Sequence, residues 1–249
     1  MRSMVSIQES SAAYAMDRDG FLVLDGLFTE REIAPISDEV DRIIEGRTDY
    51  LPAKELIFEP NSDPPRVRNA NRLHLYCPLF LEFAKSPNLL EPLKQILGEP
   101  LRLYGSSVFA KPARVGTVVP QHQDMPYWPF DPPEMITAWV ALDDSTIENG
   151  CVRFATGSHK LGMLPHAPSN VPGNSLGLVK DERVDALPER VMEVKRGSVV
   201  MHHALAVHRS DPNRSGLPRR GLVYVYMSPA VHVTDASKLH GPQIFPEVS

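Results

Sequence analysis

The chain has 249 residues and a formal net charge of −5, which excludes the broad basic surface typical of proteins that bind nucleic acids or anionic membranes in a general way. Its length is sufficient for one large β domain or two small ones with a real core, and no apolar run is long enough to cross a bilayer. The two cysteines, Cys77 and Cys151, form no CxxC pair, and residues 1–11 contain no apolar signal segment, so the sequence predicts a reduced, cytoplasmic protein.

The first hundred residues indicate helices and one strand. Residues 21–24 are a short apolar run between two Asp-Gly pairs, which is typical of a strand. Thr29 followed by Glu32 matches a capping box, and the apolar residues after it recur on one helical face. A second helix is predicted from Asn88 to Gly98, because glycine commonly ends a helix.

Two segments show no periodicity and are predicted to be long loops, residues 51–75 and residues 166–187. Long loops in a compact domain commonly serve as lids or binding loops. The first loop is polar and basic, which fits either a solvated surface or contact with an oxygen-rich or anionic small molecule; its relevant side chains are Arg66, Arg68, Asn71, Arg72 and His74.

From residue 101 onward the pattern changes to short strands separated by turn residues. The abundance of proline, with 24 residues, also favours a loop-rich β architecture over a helical bundle. The predicted strands cover residues 101–111, 136–142, 152–155, 190–194, 198–203 and 221–227.

A candidate metal site begins with His122 and Asp124. Side chains two residues apart on an extended strand point to the same face, so this imidazole and this carboxylate would converge. Two histidines and one carboxylate on one side of a metal bind Fe(II) and leave the opposite positions open. The sequence offers three candidates for the second histidine, namely His202, His203 and His208, and spacing alone favours His208 only modestly.

Arg219 and Arg220 begin a predicted strand. Alternation allows only one of them to face the interior, and a buried arginine needs an anion, so the inward one is predicted to bind a carboxylate. Beside an iron site, that carboxylate would be the far end of a keto-diacid cosubstrate. Other chemistries lack support, since the chain has no G-x-S-x-G motif, no P-loop and no Rossmann spacing.

Taken together, several segments resemble the phytanoyl-CoA dioxygenase family of Fe(II)/2-oxoglutarate-dependent oxygenases. The resemblance covers nearly the whole chain, and the combination of motifs is far more specific than any one of them. The matching segments are residues 20–23, 121–129, 137–144, 148–151, 156–159, 197–200 and 208–213, with Arg219.

The resemblance implies a mainly β fold with flanking helices, a double-stranded β-helix or cupin-like jelly roll, in one domain over residues 1–249. Residues 1–100 would be its mostly helical N-terminal part and residues 101–230 its jelly-roll core. The implied iron ligands are His122, Asp124 and His208. The residues implied to hold 2-oxoglutarate are Arg219, Ser210, Thr137, Trp139 and, on a neighbouring strand, Lys111.

The expected function is therefore oxidation of an unactivated C–H bond of a small molecule with O2 and 2-oxoglutarate, by hydroxylation or by oxidative cyclisation or desaturation. Natural-product tailoring is the expected setting, without nucleic-acid or membrane partners. Met125, Tyr127 and Trp128 are predicted to contact the substrate. Two alternatives stay open: a Zn- or Mn-dependent cupin-like isomerase or hydrolase, which would not need Arg219, and a non-enzymatic barrel that binds a small molecule.

Overall fold

The computed structural model describes residues 11–60, 62–239 and 245–249. Its helices are α1 Ala12–Asp19, α2 Glu30–Ile44, α3 Leu73–Tyr76, α4 Pro78–Ala84, α5 Pro87–Leu97 and α6 Glu182–Asp185. Its strands are β1 Phe21–Leu24, β2 Leu56–Phe58, β3 Val67–Asn71, β4 Arg102–Lys111, β5 Val119–His122, β6 Phe130–Asp131, β7 Met135–Ala141, β8 Val152–Ala155, β9 His166–Pro168, β10 Leu176–Leu178, β11 Glu189–Val191, β12 Val199–His203, β13 His208–Ser210, β14 Arg219–Met227 and β15 His232–Val233.

Two antiparallel sheets form the jelly roll. The main sheet has the order β1-β12-β7-β14-β4-β3-β2, and the smaller sheet has the order β11-β8-β13-β5. The two sheets meet across apolar side chains, as the stacked rings of Phe21 and Phe154 show, with centroids 4.7 Å apart. This architecture confirms the expected fold class.

Strand β14 shows how the main sheet separates two cores. Its side chains alternate between the faces, because successive residues of a strand point in opposite directions. Leu222, Tyr224 and Tyr226 pack with the helices, whereas Val223 and Val225 pack between the sheets. The sheet is thus buried on both faces, which explains the nearly continuous apolar sequence of this strand.

Hydrogen bonds fix the helical layer to the sheet. The hydroxyls of Tyr224 and Tyr226 donate to the carbonyl oxygens of Phe80 and Ala84 in α4, each at 2.8 Å. Both tyrosines are fully buried, so these bonds satisfy polar groups that would otherwise be costly in the core. Helix α2 begins as predicted, with the Thr29 N–H donating to the Glu32 carboxylate at 2.8 Å.

The prediction of a long loop over residues 51–75 was wrong. Strand β2 pairs with β3, β3 pairs with β4, and α3 follows directly. The strand β3 reads Val-Arg-Asn-Ala-Asn, which has little intrinsic strand preference; it forms because β4 provides hydrogen-bonding partners from far along the chain. Likewise, residues 166–187 contain the β9–β10 hairpin and α6 rather than only loop.

The first hundred residues thus supply both the helical layer and the two edge strands of the main sheet, β1 and β2. In the part of the chain that the structure describes, no helix has the length and apolar character needed to span a membrane.

Candidate metal and cosubstrate site

Three of the predicted ligand side chains converge between the two sheets. His122 at the end of β5 lies directly across from His208 at the start of β13. Asp124 follows two residues after His122, and its Oδ1 lies 3.7 Å from the Nε2 atom of each histidine. The three ligand atoms all lie within 4.8 Å of one another, which is the separation expected around a single ion.

Both histidines are oriented by backbone carbonyls. Nδ1 of His122 lies 2.9 Å from the Pro120 oxygen, and Nδ1 of His208 lies 3.0 Å from the Ala206 oxygen. Because a carbonyl only accepts hydrogen bonds, Nδ1 must carry the proton, and Nε2 keeps a free lone pair. Burial lowers the pKa of both imidazoles, so they are neutral, as metal ligands must be.

Asp124 is ionised despite its burial. Burial by itself would raise its pKa, but the hydrogen bond from His202 favours the charged form, and the pKa of this carboxyl lies below its ordinary value. Its outer oxygen, Oδ2, accepts a hydrogen bond from the Thr137 hydroxyl at 2.8 Å. Thr137 is therefore a neighbour of the carboxylate ligand.

The three histidine candidates are separated by the structure. His208 joins His122 and Asp124. His202 lies beside them with its Nε2 3.0 Å from Asp124 Oδ2. His203 points to the other side, and its Nδ1 accepts the Leu205 N–H at 3.0 Å. Contact between His202 and Asp124 was not predicted, because the sequence does not reveal which strand lies beneath the carboxylate.

Arg219 and Arg220 point to opposite faces of the main sheet, as alternation predicts. Arg220 pairs with Asp143 at 2.6 Å and with Asp41 on α2. Arg219 is 4% exposed, lies over the Trp139 ring at 5.4 Å, and has no carboxylate partner among the described residues. Its Nε is buried without a hydrogen bond, and burial lowers the pKa of its guanidinium to about 10.

A cavity of about 670 Å³ connects the metal ligands to Arg219. Ser210, Thr137 and Trp139 line it, as do Tyr127 and Trp128. Two predicted residues lie elsewhere. Met125 is buried in the core between the sheets, and Lys111 donates its Nζ protons to the carbonyls of Thr117 and Asp211.

Lys111 is the cross-strand partner of Arg219, which explains why it was expected to face the cosubstrate. Burial and the nearby Arg219 lower the pKa of its ammonium to about 6. Its carbonyl contacts tie the turn after β4 to the turn after β13, so its observed role is to brace the loops beside Arg219.

Gln123 lies between the predicted ligands His122 and Asp124 in the sequence, and its buried side chain holds backbone groups from separate segments together; we call it the Gln123 clamp. Its Nε2 donates to the Gly162 and Leu205 carbonyls at 2.9 and 2.8 Å, and its Oε1 accepts the Leu164 N–H at 2.8 Å. These bonds connect the strand that carries His122 to the segment that leads into His208, so the amide aligns the two halves of the site.

Gln123→Leu is expected to lower the free energy of unfolding by at least about 3 kcal/mol, because three buried backbone groups lose their partners. Thermal and chemical unfolding measure this loss. The matched control is Gln121→Leu, since Gln121 is half-buried and its side chain has no hydrogen bond among the described residues; it should stay within about 0.5 kcal/mol of the parent. Equal losses in both variants would contradict the clamp.

The donor set fits Fe(II) with a keto acid. Two neutral imidazoles and one carboxylate on one side of an ion are the ligands of non-haem iron oxygenases. An unpaired guanidinium buried in the same cavity requires an anion, and a dicarboxylate supplies one. The jelly roll and this site therefore define the class of Fe(II)/2-oxoglutarate-dependent oxygenases.

Comparison with known proteins identifies the family within this class to which the chain belongs. The family model described as Phytanoyl-CoA dioxygenase (PhyH) matches residues 16–221, and the chain belongs to this family. A "Probable alpha-ketoglutarate-dependent hypophosphite dioxygenase" of Stutzerimonas stutzeri is 27% identical over 213 residues, covering 83% of this chain and 74% of that protein. An "Ectoine dioxygenase" of Bordetella bronchiseptica is 29% identical over 227 residues, covering 85% and 73%.

The fold is also that of a solved structure. The non-heme alpha ketoglutarate dependent epimerase SnoN from nogalamycin biosynthesis superimposes with a TM-score of 0.74 at 22% identity, covering 96% of this chain and 97% of that one. Family membership favours an iron- and 2-oxoglutarate-dependent oxygenase over the Zn or Mn cupin and over the non-enzymatic barrel.

Proposed function

We propose that this chain oxidises an unactivated C–H bond of an uncharged, oxygen-bearing small molecule, by hydroxylation or by oxidative cyclisation or desaturation, as a natural-product tailoring enzyme. The observation that carries the proposal is Arg219, a buried guanidinium that has no carboxylate partner among the described residues and shares one cavity with His122, Asp124 and His208. O2, 2-oxoglutarate and the substrate are its small-molecule partners.

The proposed roles follow from position. His122, Asp124 and His208 would hold Fe(II), while Arg219 and Ser210 would hold the far carboxylate of 2-oxoglutarate. Iron with the keto acid and oxygen supplies the oxidising power that breaks the C–H bond, and succinate and carbon dioxide are released. The hydroxyl of Thr137 would hold Asp124 in place through its hydrogen bond. The apolar side chains in the cavity lining would keep water from the reacting carbon.

An uncharged substrate follows from the ion pairs around the cavity. Arg68 is paired with Glu59 at 3.7 Å, and Arg72 with Glu55 at 2.5 Å. Both carboxylates are buried, so each pair is internally neutralised. The basic character that the sequence suggested for residues 51–75 therefore does not present free cations to a substrate.

The other positively charged side chains that line the cavity also favour an uncharged substrate. Arg209 is paired with Glu189 and Asp211, at 2.7 and 2.8 Å. Lys54 has no ion pair among the described residues, but it is exposed at the surface. With Arg219 assigned to 2-oxoglutarate, the described residues leave no unpaired cation inside the cavity for a phosphate or carboxylate of the substrate.

A neutral hydrogen-bond donor is available instead at His74. The Ser106 hydroxyl oxygen accepts the His74 backbone N–H at 2.8 Å and lies 2.9 Å from Nδ1 of the same residue. Ser106 has no other hydrogen-bond acceptor among the described residues, so its proton fits the bond to Nδ1 and the ring proton lies on Nε2. Burial lowers the pKa of this imidazole to about 4, so a neutral N–H in the cavity lining is suited to a substrate oxygen.

Aromatic side chains form another part of the lining. Tyr104 and Trp128 lie edge to face with centroids 5.6 Å apart, and Phe245 lies 6.0 Å from Tyr104. All three line the cavity. Such a wall favours a ring or hydrocarbon face on the substrate, opposite its oxygen atoms.

Anaerobic visible spectroscopy tests the reaction class. Adding 2-oxoglutarate to the protein loaded with Fe(II) should produce a new weak charge-transfer band, because the keto acid binds through two oxygens. Iron binding without the band would contradict the proposed use of 2-oxoglutarate.

The substrate class is tested with matched compounds. Succinate release is measured with pairs such as a cyclic alcohol and its phosphate ester, or the primary amide and the coenzyme A thioester of one carboxylic acid. We expect stimulation by the uncharged member of a pair. Stimulation by the phosphate or the thioester alone would contradict the assignment of a neutral substrate.

A further inference from the structure

A third histidine, His202, contacts the carboxylate of Asp124, one of the three predicted metal ligands. His202 on β12 is the direct cross-strand partner of Thr137 on β7, so the two side chains project side by side from the main sheet. Both reach the same atom of Asp124: Oδ2 lies 3.0 Å from His202 Nε2 and 2.8 Å from Thr137 Oγ1.

The surroundings of His202 determine its tautomer. Nε2 faces a carboxylate oxygen, which only accepts, so Nε2 carries the proton. Nδ1 is buried and has no hydrogen-bond partner among the described residues, and the Phe154 ring lies 5.1 Å from the imidazole. The geometry therefore fits an Nε2–H donor that points at Asp124.

His202 is not placed as a metal ligand. Its Nε2 is directed at Oδ2 of Asp124, while the ligand atoms of His122, Asp124 and His208 form a separate cluster around Oδ1. The other ring nitrogen is enclosed. The contact is therefore one between a donor and the outer oxygen of a ligand.

We infer that His202 is a positioning residue that, together with Thr137, restricts Asp124 to binding the metal through Oδ1 alone. Two donors occupy Oδ2, so that oxygen is held away from the ion. A carboxylate that binds through one oxygen leaves an additional coordination position, and a keto acid with two donor oxygens needs that space beside O2. The inference rests on the proposed metal site.

The test compares three variants of His202 in the full chain. His202→Phe and His202→Met fill the same apolar space without a donor, whereas His202→Gln retains an N–H donor. Metal affinity is measured by anaerobic titration with Fe(II) and with Co(II), whose visible absorption reports the coordination number. Thermal unfolding of the metal-free proteins shows whether each variant is folded.

Loss of the donor should weaken metal binding by about 10- to 100-fold and change the Co(II) spectrum. His202→Gln should restore most of the affinity and the parent spectrum. Parental affinity and spectrum in a folded donor-free variant would overturn the inference, and so would equal weakening in all three variants, since only packing would then matter.

Thr137→Val provides a second arm if the donor-free His202 variants do not fold. It removes the other hydrogen bond to Oδ2 and is expected to weaken metal binding and to change the Co(II) spectrum in the same direction. An unchanged spectrum in this variant would overturn the inference. Failure of the parent protein to bind Fe(II) would instead overturn the proposed function and, with it, the role of His202.

Discussion

Arg219→Leu is expected to lower the affinity of the iron-loaded protein for 2-oxoglutarate by about 100-fold or more. Each hydrogen bond to a charged group contributes about 1.5–3 kcal/mol, and a guanidinium can donate two in parallel to a carboxylate. About 1.4 kcal/mol corresponds to a tenfold change in affinity. Arg219 is buried and has no carboxylate partner among the described residues, so its donors are available to the cosubstrate.

The affinity is measured by titrating 2-oxoglutarate into the Fe(II)-loaded variant and following the charge-transfer band. Arg220→Gln is the matched control, because Arg220 is the adjacent residue but binds Asp143 and Asp41 on the opposite face. That variant should lose stability while its affinity for 2-oxoglutarate stays near the parental value. Full affinity in Arg219→Leu would mean that another group binds the far carboxylate of 2-oxoglutarate, and the assignment of Arg219 would be wrong.

Local patterns correctly predicted those helices and strands in which the spacing of residues in the sequence matches the faces that they bury in the structure. The capping box at Thr29 begins α2 at the expected place. Alternation along β14 correctly predicted that Arg219 and Arg220 face opposite sides, because a buried strand between two cores fixes the direction of every side chain. Which of the two faces the site was indicated by the family resemblance.

The parts that were missed depend on partners far along the chain. Strand β3 has a polar sequence and gains its regular hydrogen bonds by lying between β2 and the distant strand β4. The contact between His202 and Asp124 depends on the register that sets His202 opposite Thr137. A single sequence does not reveal that register, so the sequence could not distinguish His202, which lies beside the site, from its neighbour His203.

The charged side chains that line the cavity are another feature that depends on the fold. The sequence shows the positive charges of Arg68 and Arg72, but it does not show that Glu59 and Glu55 are buried against them. Neutralisation is a property of the folded arrangement, and it disfavours the anionic ligand among the alternatives that the sequence left open. Composition therefore predicted the polarity of this segment, and tertiary contacts determined which of its charges are paired.

His208→Ala is expected to weaken Fe(II) binding by at least about 100-fold and to abolish turnover. Structural zinc sites with four ligands bind with about 10–16 kcal/mol, so one ligand contributes roughly 3 kcal/mol, which is about 100-fold in affinity. In this site the loss would leave one imidazole and one carboxylate, and the ion would gain a water molecule in a position that the protein no longer controls.

Metal-induced stabilisation provides the measurement. A metal that binds only the folded state, present at about 1,000 times its Kd, adds about 4 kcal/mol to the free energy of unfolding, so Fe(II) or Co(II) should raise the Tm of the parent and barely change that of His208→Ala. The control is His203→Asn, whose side-chain oxygen can still accept the Leu205 N–H that His203 Nδ1 accepts. Because His203 points away from Asp124, this variant should keep the full metal-dependent increase in Tm. An equal increase in His208→Ala would mean that the ion is held elsewhere, and the assignment of His208 as a ligand would be wrong.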